Sequence, residues 1–234
     1  YEIVFGDWSS DVGSSDLIWT YMGDRAYPYN IFDFTISRGR DGPKQFLKEF
    51  RGTLLADAYG GYDGIVLDQD LPRAGCWSHA RRKIVDAEPT APDMARTILR
   101  LIKDLFNIET RAKSLSDAER LELRRAESQP IVDKLRVLFV EQHAALLPKH
   151  PMAEAVGYAL NQWEELTLFL TDGAVPIHNN LAEQQMKRIA LLRKNALFVG
   201  TARGGETAAI LSSLTSTCRR HEINPQTYLT QLLI

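Results

Sequence analysis

Cysteine, long apolar runs and an excess of charge of one sign are all scarce in this sequence. Cys76 and Cys218 are the only cysteines among 234 residues, too few for a disulfide framework, and a zinc site would need several well-spaced histidines beside them. We expect buried thiols. No run approaches the roughly 18 consecutive apolar residues of a membrane helix, and no basic start followed by an apolar run indicates export. We therefore expect a cytoplasmic protein with no membrane partner.

The formal net charge is only −2, which argues against a protein that coats nucleic acid indiscriminately, because nonspecific affinity comes mainly from Lys and Arg. The distribution of charge is uneven, however. From residue 178 to the end, seven Lys or Arg stand against three Glu, a net +4, so the other residues carry −6. The basic end of the chain favours a local anionic partner.

The first part of the chain has the apolar pattern of a small sheet with one helix. Apolar and aromatic runs at 18–22 and 31–37, with turn-prone residues between them, predict a β-hairpin. Residues 43–50 are typical of a helix and residues 53–57 of a third strand. A fourth strand is predicted at 73–77, followed by a helix that Ser78 can cap.

Glycine nearly vanishes from about residue 87 to residue 171, and apolar residues recur every three or four positions. This pattern predicts three or so antiparallel helices inserted into an α/β core. Further helices are predicted at 180–194, 205–221 and 225–233, with a short extended segment at 196–199.

Two acidic residues are candidate metal ligands. Asp57 follows an apolar strand at a Gly-rich turn, where open α/β sheets place ligand groups, although a turn Asp bonding nearby backbone N–H groups fits as well. Glu183 begins a predicted helix, either as a metal ligand or as the Glu of a capping box with Asn180. Asp68 and Asp70 are expected to be solvated.

The helix of Glu183 has two distinct sides by spacing. Its apolar side is predicted to contain Ala182, Met186 and Ile189. Its polar side carries Glu183 together with Asn179, Asn180, Lys187 and Lys194. If Glu183 binds metal, the cations that would hold DNA phosphates are Lys187, Arg188, Arg193 and Lys194.

Two other motifs have both a functional and a structural interpretation. Residues 76–82 (CWSHARR) put His79, Arg81 and Arg82 at a helix start, which suits an anionic backbone, whereas a lone His is more often packed or capping. Arg203 with Gly200, Gly204 and Gly205 could cradle a phosphate, but no Gly-Lys-Ser/Thr follows, so turn-forming glycines are favoured.

Taken together, three ordered stretches resemble the IS66 family of bacterial transposases. They are residues 55–62 (LADAYGGY), 76–82 (CWSHARR) and 179–183 (NNLAE), the last leading into 193–195 (RKN). The resemblance covers roughly residues 18–234. Its last stretch, which continues through 198–200 (FVG) and 204–206 (GGE), is the most specific.

The resemblance implies an α/β, RNase H-like mixed sheet core with an Asp, Asp, Glu triad, in which Asp57 matches the second member and Glu183 the third. It implies metal-dependent DNA strand cleavage and transfer with Mg²⁺ or Mn²⁺, two ions in the complete enzyme. Candidate DNA contacts are Arg81, Arg82, Lys187, Arg188, Arg193 and Lys194, with His79, Asn179 and Asn180 in support. Implied partners are transposon-end and target DNA, a second copy on DNA and helper proteins of the same element.

Two departures from the family pattern matter. The family's first carboxylate lies in an Asp-Glu-Thr motif, which does not occur here, and Asp7 is only a poor positional match for it. His178 stands where the family usually has an Asp. Residues 1–17 fit nothing in the family and are predicted to be foreign or disordered, so we expect an N-terminally truncated fragment that is inactive.

The predicted organisation is therefore a segment outside the family (1–17), a first part of the core (18–86), a helical insertion (87–172) and a second part of the core (173–234). Two other functions stay open. One is a catalytically dead DNA-binding or assembly module. The other is an RNase H-like nuclease of another family.

Overall fold

The chain folds as two compact units, Tyr1–Pro72 with Asn179–Ile234, and Arg73–His178. The computed structural model describes residues 3–4, 17–35, 41–56, 66, 68–196 and 201–234, with the backbone alone for 3, 4, 17, 190 and 192–196. Both helices and strands are present, so the predicted mixed α/β class is confirmed. The predicted insertion at 87–172 lies wholly within the second unit.

The elements are numbered here in chain order within the described residues. The strands are β1 Ile3–Val4, β2 Leu17–Met22, β3 Asn30–Thr35, β4 Leu54–Leu55 and β5 Arg73–Ala74. The helices are α1 Asp41–Phe46, α2 Trp77–Ala87, α3 Pro92–Arg111, α4 Asp117–Leu123, α5 Gln129–Ala145, α6 Pro151–Asn161, α7 Trp163–Thr167, α8 Asn180–Ala196, α9 Ala202–Arg220 and α10 Pro225–Leu233. A π-helical segment, Arg124–Ser128, joins α4 to α5.

The first unit contains an antiparallel hairpin and, in a separate sheet, a parallel strand pair. β2 and β3 form the predicted hairpin, with Trp19 opposite Asp33. β1 pairs with β4 in parallel, with Ile3 opposite Leu54, and β2 lies beside β1. The strand predicted at 53–57 is thus present at Leu54–Leu55.

Strand alternation gives the hairpin two packed faces. On one face Trp19 and Tyr21 cluster with Leu47, Leu54 and Ala56. On the other face Phe32 packs with Ile189 of α8 and Ala209 of α9. The hairpin is therefore the layer that holds α8 in place.

Side-chain hydroxyls of helix α9 make hydrogen bonds to the backbone N–H and carbonyl groups on the outer edge of β3. The Ser213 hydroxyl accepts from the Phe32 N–H at 2.8 Å and donates to the Phe32 carbonyl at 3.3 Å, and Thr217 makes the same pair with Asn30 at 3.0 Å each. Four helical residues rise about 6 Å, close to the roughly 6.6 Å of two strand residues. The spacing of the two hydroxyls along α9 therefore matches the spacing of the bonded residues along β3. Without them, the backbone polar groups of this edge could pair with another strand.

The second unit contains the predicted helical block, and its core forms around Trp77. This side chain is fully buried, donates from Nε1 to the Leu166 carbonyl at 2.7 Å and meets the Trp163 ring edge-on. The backbone N–H of Trp77 donates to the Ile177 carbonyl at 3.0 Å. Cys76 and Cys218 are buried thiols, as expected.

Several predicted boundaries were wrong. The strand predicted at 73–77 ends at Ala74, and α2 begins at Trp77 with Cys76 in the cap position and no side-chain cap bond, so Ser78 is not the cap. Residues 47–49 form a turn, because the N–H groups of Lys48 and Phe50 bond carbonyls three residues back and end α1. Ala196 is helical, and residues 197–199 lie outside the described residues.

Candidate functional site

Helix α8, which carries Glu183, is capped by the residue before it. The backbone carbonyl of Asn179, a buried residue, accepts from the N–H groups of Ala182 and Glu183 at 3.1 and 3.3 Å. The residue whose carbonyl accepts the first intrahelical bond is the N-cap. Glu183 is then the fourth helical residue, one position beyond that of a capping-box Glu.

The apolar side of α8 is buried as predicted. Ala182, Met186 and Ile189 are at most 5% exposed. The Thr20 hydroxyl of β2 contacts the sulfur of Met186, and the Ser216 hydroxyl of α9 donates to Gln185 Oε1 at 3.0 Å. These contacts fix the rotation of the helix about its axis, and with it the direction of Glu183.

The polar side of α8 combines one carboxylate with cations. Glu183 and Asn180 are half-buried, whereas Lys187, one turn beyond Glu183, and Arg188 are exposed. Arg193 and Lys194 belong to the same helix, but their side chains lie outside the described residues. Glu183 lies in the first turn of α8, where the helix dipole favours negative charge.

Asp57 and Asp7 lie outside the described residues, but the strands that precede them do not. Leu54, Leu55 and Ala56 are fully buried and lead directly to position 57. Because β1 and β4 are parallel, their carboxyl ends meet at the same edge of the sheet. Asp57 follows the last residue of β4 by two positions.

The candidate residues at 79–82 belong to the second unit. Trp77, Ala80 and Ile84 bury one side of α2, which leaves the side chains of Arg81 and Arg82 exposed and His79 half-buried. His178 is half-buried, and its ring stacks on that of Phe106 with 5.6 Å between centroids. Among the candidate cations with described side chains, Lys187 and Arg188 are thus exposed on the first unit, and Arg81 and Arg82 on the second.

Two other candidate pairs, Asp68 with Asp70 and Gly204 with Gly205, have structural explanations. Asp68 is exposed and pairs with Lys44 at 2.7 Å, and Asp70 is exposed, as expected for solvated residues. Gly204 and Gly205 were predicted to form a turn, but both lie inside α9. A Cβ on Gly205 would come within 2.3 Å of the Phe34 ring, so close packing is the reason for this glycine.

Asp33 is a carboxylate that the sequence analysis missed. It lies in β3 opposite Trp19 and is half-buried. Burial raises the pKa of Asp33, and a bond from the Phe34 N–H opposes part of that rise. Burial, with a smaller contribution from the Asp33 charge, raises the pKa of Tyr21. The sequence feature that could have identified Asp33 is an acidic residue inside the predicted apolar strand, between Phe32 and Phe34.

The described residues contain no group of three or more His, Cys, Asp or Glu side chains arranged to hold a metal. The predicted ligand Asp57 is outside that set. Glu183 offers carboxylate oxygens, the ligand type that Mg²⁺ and Mn²⁺ prefer, so the donor chemistry fits these ions. In the same part of the chain, every helix is too short or too polar to cross a bilayer.

Comparison with known proteins identifies the class of this protein. The model of the "Transposase IS66 family" matches residues 9–207, so the chain belongs to that family, and the resemblance found in the sequence is confirmed. The match includes residues 9–17, a part of the segment predicted to fit nothing in the family.

Curated relatives come from Sinorhizobium fredii (strain NBRC 101917 / NGR234). The "Uncharacterized protein y4hP" is 32% identical over 239 residues, and the "Uncharacterized protein y4qI" is 32% identical over 230 residues. Each alignment covers 92% of this chain and 43% of the relative, so the chain spans less than half the length of these proteins. No solved structure matches the chain.

Proposed function

We propose that this chain is the catalytic-core part of a transposase that cuts and joins DNA strands at metal-bound carboxylates. The observation that carries the proposal is the placement of Glu183. Glu183 is a half-buried carboxylate, one position beyond the capping-box site. One side of its helix is buried against the hairpin, and the exposed side carries Lys187 and Arg188.

Strand alternation supports a shared site for Asp57 and Glu183. Leu54 and Ala56 pack on the face of Trp19 and Tyr21, whereas Leu55, also buried, is not in that cluster. Continued by one residue, the alternation predicts that position 57 faces the other side of the sheet. That is the side on which Thr20 contacts Met186 of α8.

Asp57 and Glu183 would hold Mg²⁺ or Mn²⁺, with two ions in the complete enzyme. Such ions activate the attacking hydroxyl and stabilise the leaving oxygen of an in-line phosphoryl displacement. The exposed Lys187 and Arg188, together with Arg193 and Lys194, would bind DNA phosphates, and Arg81 and Arg82 would do so on the other unit. Asn179 and Asn180 fix the start of the Glu183 helix, and His79 supports the start of α2.

An RNase H-like core is part of the proposal, supported by a hairpin that lies beside a parallel strand pair. The first carboxylate of such a core would follow β1. If the register of β1 with β4 continued, Gly6 rather than Asp7 would lie opposite Asp57, and Asp7 would point to the other face. Asp7 is therefore a poor replacement for the missing acidic residue, and we expect the unmodified chain not to cleave DNA.

The proposed partners follow from the family alone. They are transposon-end and target DNA, a second copy on DNA, and helper proteins of the same element. Since bacterial DNA is the proposed substrate, the protein would act in the cytoplasm. A catalytically dead DNA-binding or assembly module is the second candidate function, favoured by the absence of Asp-Glu-Thr from the sequence.

The test compares the chain with a version in which residues 1–8, which precede the family match, are replaced by an Asp-Glu-Thr strand from a family member. With Mg²⁺ or Mn²⁺, only the restored protein should cut transposon-end DNA. In it, Glu183→Gln should abolish strand transfer and leave DNA binding nearly unchanged, because the amide loses the charge that binds metal. Glu206→Gln, an exposed Glu of α9, is the matched control and should change neither.

Cleavage by the unmodified chain would show that the Asp-Glu-Thr motif is dispensable. Unfolding of the Glu183→Gln variant, rather than inactivation, would favour a structural role for Glu183. A restored protein that binds DNA and never cuts it would favour the assembly module.

A further inference from the structure

The loop between β2 and β3, residues 23–29, presents two aromatic rings to solvent. Tyr27 and Tyr29, on either side of Pro28, are 45% and 52% exposed. Single exposed apolar residues are ordinary on protein surfaces. Two rings beside the exposed Arg25, in one short loop, form a more specific surface. We call residues 23–29 the tyrosine loop.

The backbone of the tyrosine loop is held by bonds at both ends. The Gly23 N–H donates to the Tyr29 carbonyl at 2.9 Å, the Tyr29 N–H donates to the Tyr27 carbonyl at 2.8 Å, and the Tyr27 N–H donates to Asp24 Oδ1 at 2.8 Å. A Cβ on Gly23 would lie 1.9 Å from the Tyr27 carbonyl oxygen, so only glycine fits there. The bonds within the loop thus hold part of its conformation.

Arg220, the last residue of α9, fixes the same loop from a distant part of the chain. Its Nη2 donates to the carbonyls of Gly23 and Asp24 at 2.8 and 3.2 Å. Its Nη1 donates to the Tyr29 carbonyl at 3.1 Å and to Asn30 Oδ1 at 2.9 Å. Because the loop is ordered in advance, a ligand that binds its rings would not have to order it.

The two segments that meet at the Tyr29 ring, residues 23–29 and 219–222, carry one more basic than acidic side chain. The His221 ring lies 5.7 Å from that of Tyr29, centroid to centroid, and Arg219, two residues earlier in the chain, is exposed. The acidic neighbours are Asp24, whose carboxylate accepts the Tyr27 N–H, and the exposed Glu222. Three arginines, at positions 25, 219 and 220, stand against these two carboxylates, which favours an anionic ligand.

We propose that the tyrosine loop binds unpaired nucleotides of DNA, with Tyr27 and Tyr29 stacking on bases and Arg25 and Arg219 contacting phosphates. Aromatic rings combined with a positive surface are the usual means of holding single-stranded nucleic acid, because every base has a π-face to stack on. The proposal rests on the proposed function in one respect, that DNA is the partner.

The test titrates the full chain with a labelled oligo(dT) strand and, separately, with a blunt duplex of equal length, followed by fluorescence anisotropy. The double variant Tyr27→Ala/Tyr29→Ala should bind oligo(dT) more weakly by about tenfold for each stacked base, with duplex affinity unchanged. Tyr27→Phe/Tyr29→Phe should bind as the parent does, since stacking needs the ring and not the hydroxyl. Tyr228→Ala, in α10, is the matched control and should have no effect.

Each other result overturns the proposal in a recognisable way. Unchanged oligo(dT) affinity in the folded alanine variant removes the loop from DNA binding, and an equal loss for strand and duplex removes stacking. If the phenylalanine variant bound oligo(dT) as weakly as the alanine variant, the tyrosine hydroxyls rather than ring stacking would account for binding. Loss of self-association without loss of oligo(dT) binding would make the loop a protein interface. A parent chain that binds neither DNA contradicts the proposed function as well.

Discussion

The substitution Arg124→Met should destabilise the second unit more than any loss of a surface charge. Arg124 is fully buried, and its Nε and Nη2 each donate to one carboxylate oxygen of Glu109 at 2.7 Å. Its Nη1 donates to the carbonyls of Phe169 and Asp172 at 2.8 and 2.9 Å. One guanidinium therefore joins α3, the π-helical segment and the chain that follows α7.

The expected magnitude follows from what the substitution leaves behind. Methionine fills a similar volume, but Glu109, whose side chain is only 14% exposed, and two carbonyls lose their donor. Removing one partner of a buried ion pair typically costs about 3–5 kcal/mol. With a urea m-value of about 2 kcal/mol per molar, the midpoint of unfolding by circular dichroism should fall by about 2 M.

Arg111→Met is the matched control for this prediction. Arg111 and Glu127 connect the same two segments with the same two-bond geometry, at 2.6 Å for each bond, but the pair is exposed. Surface pairs are screened by water and contribute little, so this variant should unfold at the parent midpoint. Equal midpoints for the Arg124 and Arg111 variants would refute the reasoning. Arg124→Met/Glu109→Met should recover most of the loss, because no buried charge is left unpaired.

Two further predictions concern the first unit. Glu222, just after α9, has φ 58°, and the Ile223 N–H bonds the Cys218 carbonyl. Such a helix C-cap favours glycine, so Glu222→Gly should raise the free energy of unfolding by up to about 1 kcal/mol. A lower urea midpoint would contradict this. Burial raises the pKa of Asp33, so the folded chain holds that proton more tightly and stability falls as pH rises from the ordinary Asp range through the folded pKa. Asp33→Asn should therefore unfold at higher urea than the parent at neutral pH but not in acid, and a gain that is independent of pH would refute the cause.

Sequence periodicity was sufficient for features that depend on neighbours in the chain. Alternation predicted the hairpin, and three- and four-residue spacing predicted the helical block and the buried side of α8 at Ala182, Met186 and Ile189. Family motifs identified Asp57 and Glu183 as candidate ligands. Their convergence stays a prediction, since Asp57 lies outside the described residues.

The sequence alone determined where most of the helices and the hairpin lie, which sides are apolar and which family the motifs resemble, because these properties repeat over a few residues. Tertiary structure decided the rest. Arg220 bonds the Gly23 carbonyl across 197 positions, Gly205 is small because Phe34 packs against it, and Trp77 starts a helix whose first N–H bonds Ile177. Such contacts join residues far apart in the chain, and no local period encodes which distant partner a folded core will supply.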